Sequence, residues 1–211
     1  MLRTSIYVDG FNLYYRALRR TPFRWLNIHE LAVNLLSAEN QIHKIRYFTA
    51  RVSGKQDPGN PVRQALYLRA LESLPQVEIH YGSFLARRKM RPLADPLPGG
   101  PTHVEIEDME EKGSDVNLAT HLLNDAWKDD FDVALLLSQD SDLLEPLRIV
   151  REELAKTIGI VSLDGREPGS LKKYASFVRT VTPERLRAAQ FPEVLEVGNR
   201  GKIIRRPPQW A

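Results

Sequence analysis

Cysteine is absent from the 211 residues. That removes disulfides, thiolate zinc sites and a cysteine nucleophile together, and it fits a cytoplasmic protein. No apolar run reaches the length of a membrane span, so no membrane partner is expected. The opening MLRTSIYVDG enters a strand-like pattern at once, without the layout of a signal peptide. Glycine-rich phosphate loops are missing: there is no GxGxxG after the first strand and no GK[ST]. ATP and dinucleotide chemistry by the usual routes is therefore not expected. A GxSxG serine elbow is missing too.

What is present is ordinary in bulk and uneven in detail. The chain is 42% hydrophobic and 27% charged, with a net charge of +3. This suits one α/β domain with a proper core. The basic residues cluster: Arg87, Arg88, Lys89 and Arg91 in one group, Arg200, Lys202, Arg205 and Arg206 in another, with no acid after Glu196. Such clusters suit a polyanion partner, and solvated surface charge is the equally open alternative.

Strand and helix patterns alternate along the chain. SIYV, HKIRYFTARV, the start of VEIHYGSFLARRKM, DVALLLS, TIGIVSL and FVRTVT read as strands. Helical spacing is expected over FNLYYRALRR, LNIHELAVNLL, VRQALYLRALESL, SDVNLATHLLNDAWKDD, LEPLRIVREELAK, SLKKYASFV and TPERLRAAQF. Asn27, Ser114 and Thr182 are placed as N-caps. The continuous apolar run 132–138 points to a strand buried on both faces, and the alternation as a whole to a mainly parallel, doubly wound sheet. RPLADPLPGGPTH, 91–103, reads as a long loop, and 104–113 as an acidic edge strand and turn. The domain is drawn over 1–190, with 191–211 as a basic, loosely structured C-terminal tail.

Sites on such sheets form at the C-terminal ends of strands, where strand order reverses. YVDGFN puts Asp9 at a strand end with Asn12 just after, SQDSD puts Asp140 and Asp142 beyond the 132–138 run, and KGSD puts Asp115 at a helix start. Each has an ordinary structural explanation: a turn residue, a helix cap, an acid favoured by a helix dipole. If the first strand lies beside the 132–138 strand, however, three or four carboxylates share one crevice without an obvious basic partner. Like charges this close repel, and a divalent cation removes the difficulty. Oxygen donors suit Mg²⁺ or Mn²⁺, which in turn suit phosphodiester chemistry.

YVDGFNLYY, KGSDVNLATHLL and DVALLLSQDSDLLEPL together resemble the NYN domains, PIN-like nuclease domains of the LabA-like group. The resemblance runs from about residue 4 to about 180. It implies a PIN-like three-layer α/β fold and metal-dependent ribonuclease chemistry. By position, it makes Asp9, Asp115 and Asp140 the metal-binding acids and puts Asn12 in the site, orienting substrate or metal-bound water. Ser138 and Asp142 become supporting members, and Lys112 a phosphate contact. RNA, single-stranded or structured, is the implied partner, with Arg87, Arg88 and Lys89 helping to hold its backbone.

His121 is expected to be structural, and the histidines at 29, 43 and 80 show no metal-ligand spacing. Tyr14, Tyr15 and Trp25 could stack bases, although packing explains them as well. A non-catalytic RNA-binding or regulatory module that keeps the acidic pocket is the alternative function. A metal phosphohydrolase on a Toprim-like or phosphatase-like sheet is a third, weakened by the lack of DxDxT after the first strand. Oligomeric state is open: a homo-oligomer or a regulatory protein partner is compatible with the sequence.

Overall fold

Every second residue of the first strand, β1 (Leu2–Asp9), serves a different core. Ile6 and Val8 join one apolar cluster and Tyr7 the other, as the period of two in a strand requires. The same division holds in β6 (Val133–Leu137), where Leu135 and Leu137 face one side and Ala134 and Leu136 the other. The sheet is thus covered on both faces, which explains why these strands read as unbroken apolar runs. The computed structural model describes residues 1–55, 57–198 and 202–210.

β2 (Asn40–Thr49), β3 (Val77–Tyr81), β7 (Thr157–Ser162) and β8 (Phe177–Thr180) complete a six-stranded sheet of order β3-β2-β1-β6-β7-β8. All its neighbours pair in parallel. The order reverses between β1 and β6, so a crevice opens at their C-terminal ends. One face is covered by α1 (Gly10–Leu13), α2 (Ile28–Leu35), α3 (Asn60–Leu71) and α6 (Pro183–Ala188). The other is covered by α4 (Ser114–Trp127) and α5 (Leu144–Arg148). Three layers result, as the PIN-like expectation required.

The caps at Asn27 and Thr182 are borne out: each side chain accepts from the backbone N–H three residues on. Several expected helices are shorter or wound differently. α1 passes into a π-helical turn over Tyr14–Leu18, and α5 into another over Ile149–Glu153. Residues Gly169–Tyr174 form only a 3₁₀ turn, entered by a glycine at φ +59°.

Two larger expectations are corrected. The stretch from 83 to 112 is a hairpin, β4 (Ser83–Pro92) paired antiparallel with β5 (His103–Lys112), and only residues 93–102 remain as its loop. Residues 77–90 read as one strand and 91–103 as a loop because exposed, unpatterned residues hide where β3 ends and β4 continues; opposite charges across the ladder help to hold β4 and β5 together. The chain beyond 191 is likewise not loose where it is described. β9 (Val194–Val197) pairs with β10 (Lys202–Arg205), and Ile204 and Trp210 are buried against the α2–α3 face. The Trp210 ring lies 6.0 Å from that of Tyr67 and 6.3 Å from that of Trp25, partners too distant in sequence to be foreseen. Arg206 pairs with Glu193; Arg200 lies outside the described residues. Among the described residues no helix is long and apolar enough to cross a membrane.

Beneath α4 lies a buried ion pair. Arg46 donates to Asp125 through Nε at 2.7 Å and Nη2 at 3.0 Å, and the Tyr7 hydroxyl donates to the same carboxylate at 2.7 Å. Burial pushes the Asp125 carboxyl up, but these donors outweigh it and hold it below the usual carboxylate range. His80 and His121 pack beside this network with ring centroids 4.1 Å apart and planes tilted by 42°. Asp125→Ala takes from Arg46 its buried partner, leaving it the half-exposed Glu78, and is expected to cost about 3 kcal/mol in urea denaturation. Tyr7→Phe removes one donor and is expected to cost about 1–3 kcal/mol. A smaller loss for Asp125→Ala than for Tyr7→Phe would refute this ranking.

Candidate active site

β1 ends at Asp9, and the chain turns at once into α1 against the end of β2. A Cβ at Gly10 would lie 2.7 Å from the Tyr47 ring and 2.9 Å from the Phe48 carbonyl. Only glycine fits so close a turn, and the turn leaves Asp9 at the floor of the crevice. Its two oxygens are held separately. Oδ1 accepts from the Asn12 backbone N–H at 2.9 Å, and Oδ2 from Ser138 Oγ at 3.1 Å. The Ser138 oxygen accepts from the Asp140 N–H at 3.2 Å, and Asn12 Oδ1 from the Gln139 N–H at 3.1 Å. The ends of β1 and β6 are therefore stitched by side-chain bonds where the ladder stops.

Asp140 itself caps the turn that precedes α5, its Oδ1 accepting from the Asp142 N–H at 2.9 Å. The cap is thus Asp140, and Asp142 is exposed outside the lining of the crevice. The third acid comes from α4. Gly113, at φ +99°, turns the chain out of β5 and takes the cap position expected for Ser114. Ser114 is the first helical residue; its N–H and Oγ donate to Glu111 Oε1 at 3.1 and 2.8 Å. The following Asp115 then projects into the crevice.

The result is a cleft of about 390 Å³ lined by Asp9, Asn12, Asp115, Asp140 and Glu111, with Phe84 and Met109 of the hairpin as one wall. Burial pushes the Asp9 carboxyl up, against its hydrogen bonds from Asn12 and Ser138. Asp115 is pushed up to about 6, first by burial and then by the charges of Asp9, Asp140, Glu111 and Asp142. The cleft is an accumulation of negative charge that its own cations do not cancel. Arg16 lines it but is paired with Asp164 at 3.0 Å.

Of the residues singled out in the sequence, Asp9, Asn12, Asp115 and Asp140 meet here. The others do not. Ser138 is fully buried beneath Asp9, so it positions that carboxylate and has no exposed atom to offer a substrate. Lys112 is turned to Glu110, away from the lining. Arg87, Arg88 and Lys89 lie along the hairpin: Lys89 pairs with Asp108 and Glu110, Arg88 reaches Glu105 at 3.9 Å, and Arg87 has no ion pair among the described residues. Sequence reasoning missed Glu111 and Arg16. Glu111 was hidden in a run of acids, although its place three residues before Ser114 is a local signal.

The donor set suits a hard divalent cation: carboxylate oxygens and an amide, with uncompensated charge. As placed, however, no three His, Cys, Asp or Glu side chains among the described residues stand close enough to share one ion. The residues fit the ion by chemistry and charge, not as a closed ligand cage.

The sequence profile of the NYN domain matches residues 3–181. The chain belongs to the NYN family. An NYN domain is a PIN-like nuclease family domain, and the three-layer fold described above agrees with that. A crystal structure of a protein of unknown function from Vibrio parahaemolyticus shares this fold, with a TM-score of 0.57 over 87% of this chain and 94% of that one, at 16% identity. A relative of different description is 6-hydroxy-3-succinoylpyridine 3-monooxygenase HspA from Pseudomonas putida. It is 30% identical over 99% of this chain and 75% of its own length.

The repulsion in the NYN cleft has a measurable sign. A carboxyl raised in the folded state stabilises below its unfolded value and loses that contribution as pH rises through the folded one. Asp115, at about 6 against an ordinary 3.8, therefore opposes folding at pH 7 in its charged form. Asp115→Asn is expected to melt at a higher temperature than the parent near pH 7, with the gain vanishing near pH 4. An equal or larger gain at pH 4 would contradict the shift.

Proposed function

We propose that this protein is a divalent-metal-dependent endoribonuclease that cleaves RNA phosphodiester bonds in the acidic cleft. The observation that carries this reading is the meeting of Asp9, Asp115 and Asp140, from three separate elements, in one crevice at the strand-order reversal. With water ligands filling the gaps between them, these carboxylates would hold Mg²⁺ or Mn²⁺, which when bound supplies an activated water and offsets phosphate charge. The chain's own residues orient the rest. Asn12 is fixed through its side-chain oxygen, leaving its amide N–H groups to donate to a phosphate or to water. Ser138 donates to Asp9 Oδ2 and so helps to fix that carboxylate at the cleft floor. The hairpin wall narrows access on one side, and Arg16 at the rim can meet a phosphate only in exchange for Asp164. Arg87, without an ion pair among the described residues, is the hairpin cation least committed to an acid and so the one most available to a phosphate backbone. Arg88 and Lys89 first have to leave their acids.

A second reading follows from the relative named as a monooxygenase, since the likeness spans almost the whole chain. It would make this protein a hydroxylase of a small heteroaromatic acid. A third keeps the fold and the cleft as a non-catalytic RNA-binding or regulatory module.

One experiment separates them: cleavage of end-labelled, mixed-sequence RNA by wild type and Asp140→Asn with Mn²⁺, Mg²⁺ or EDTA. Cutting is expected with either ion, is expected to stop in EDTA, and to fall about a hundredfold or more in Asp140→Asn. RNA affinity is expected to fall with rising salt as phosphate contacts are lost. RNA bound but uncut under every condition would replace the nuclease with the binding module. Oxygen uptake on adding a hydroxypyridine acid together with a reduced nicotinamide or flavin as electron donor, with no RNA cut, would replace it with the hydroxylase.

A further inference from the structure

On the far side of α1 from the acidic cleft lies a larger cavity of about 550 Å³. It is within the size range that encloses a small ligand. Phe11 and Tyr15 line both spaces, so the two share an aromatic partition. The floor is aromatic: Tyr47 and Tyr67 from β2 and α3, with Trp210 closing it from the C-terminal turn. The Tyr67 hydroxyl is spent on the Leu26 carbonyl at 3.0 Å. That of Tyr47 has no hydrogen-bond partner among the described residues.

The polar part of this cavity is cationic. Arg63 is committed to Asp57, but Arg19 and Arg24 have no ion pair among the described residues. The Arg19 guanidinium sits 5.3 Å from the Tyr15 ring centroid, a cation–π arrangement that leaves its outer N–H groups to solvent. Tyr15 is 59% exposed, so its ring presents a face that packing inside the protein does not use. An aromatic floor of mutually inclined rings, an exposed ring, and the guanidinium groups of Arg19 and of Arg24, which is bonded through Nε to the Thr21 carbonyl at 3.1 Å, select a ligand with a planar ring joined to an anion.

We infer that this cavity is a nucleotide subsite: it takes the base and adjoining phosphate of one nucleotide while a neighbouring phosphodiester lies in the acidic cleft beyond Phe11 and Tyr15. The inference rests on the nuclease reading only in naming RNA as the source of that nucleotide. A base stacks on Tyr15 irrespective of its identity, because every base has a π-face. The phosphate meets Arg19 and Arg24, whose fork geometry suits it. The same ring-and-anion chemistry could also come from a free aromatic acid, which the test must separate.

The test is calorimetric titration of the full chain, in EDTA so that no ion in the acidic cleft holds the phosphate. The probes are AMP, adenosine, ribose 5-phosphate and nicotinate. AMP is expected to bind more tightly than any of the other three. Tyr15→Leu and Arg19→Gln alter exposed side chains, and each is expected to weaken AMP by about 5- to 150-fold. Lys128→Gln, at an exposed position at the end of α4 outside the lining of either space, is expected to leave AMP binding unchanged. Ribose 5-phosphate binding as well as AMP, or AMP binding unaltered in both cavity variants, would overturn the subsite. Nicotinate binding more tightly than AMP would overturn the nucleotide as occupant. AMP bound as expected by a protein that cuts no RNA would sink the nuclease reading alone. RNA cut by a protein that ignores AMP would sink the subsite alone.

Discussion

A carboxylate held at the floor of a parallel sheet by neutral donors is the constraint around which this molecule is arranged. Asp9 is buried, and its two oxygens are taken by an N–H and a hydroxyl, not by a cation. Hydrogen bonds of this kind favour the charged form, while burial opposes it. The balance leaves the carboxyl raised, and Asp140 and Asp115 are then added nearby. A fold built only for stability would have placed an arginine here, as it does beneath α4, where Arg46 meets Asp125. The same sheet therefore holds one acid compensated and another group uncompensated. That contrast is the strongest physical reason to regard the cleft as a place of work: strain of this sort persists where function uses it.

The surroundings of the cleft divide charge in an unexpected manner. The most basic stretch of the chain is folded back on the most acidic one in the β4–β5 hairpin, so much of its charge is neutralised before any polyanion arrives. Cations without an ion pair among the described residues are found instead beside α1, at Arg19 and Arg24, next to exposed and half-buried tyrosines. The α1 segment thus separates two environments within a few residues: carboxylates on one side, guanidinium groups and rings on the other. A chain of alternating phosphates and bases is one ligand that could use both.

Local patterns carried the sheet and the acids a long way. The alternation of strand and helix, the caps at Asn27 and Thr182, and the motif acids Asp9, Asp115 and Asp140 were legible because each depends on its neighbours in sequence. The hairpin was not, since β4 and β5 are exposed on both faces and show no apolar period; cross-strand charge pairing, a non-local property, forms it. Nor was the ordered C-terminus, because Ile204 and Trp210 become anchors only where Trp25 and Tyr67 wait for them. Ser138 illustrates a subtler failure: its motif position marks importance, but only its burial shows that it positions Asp9 and cannot touch a substrate.

The sequence by itself determined which strands would be buried on both faces and which carboxylates would stand at their ends, because side-chain period and strand-end position are local facts. Only the tertiary structure decided which of those carboxylates meet, which basic residues remain uncommitted, and that a second cavity lies across one aromatic wall from the first. Those outcomes depend on which distant segments become neighbours, and the distance between two charges in space is not written in their separation along the chain.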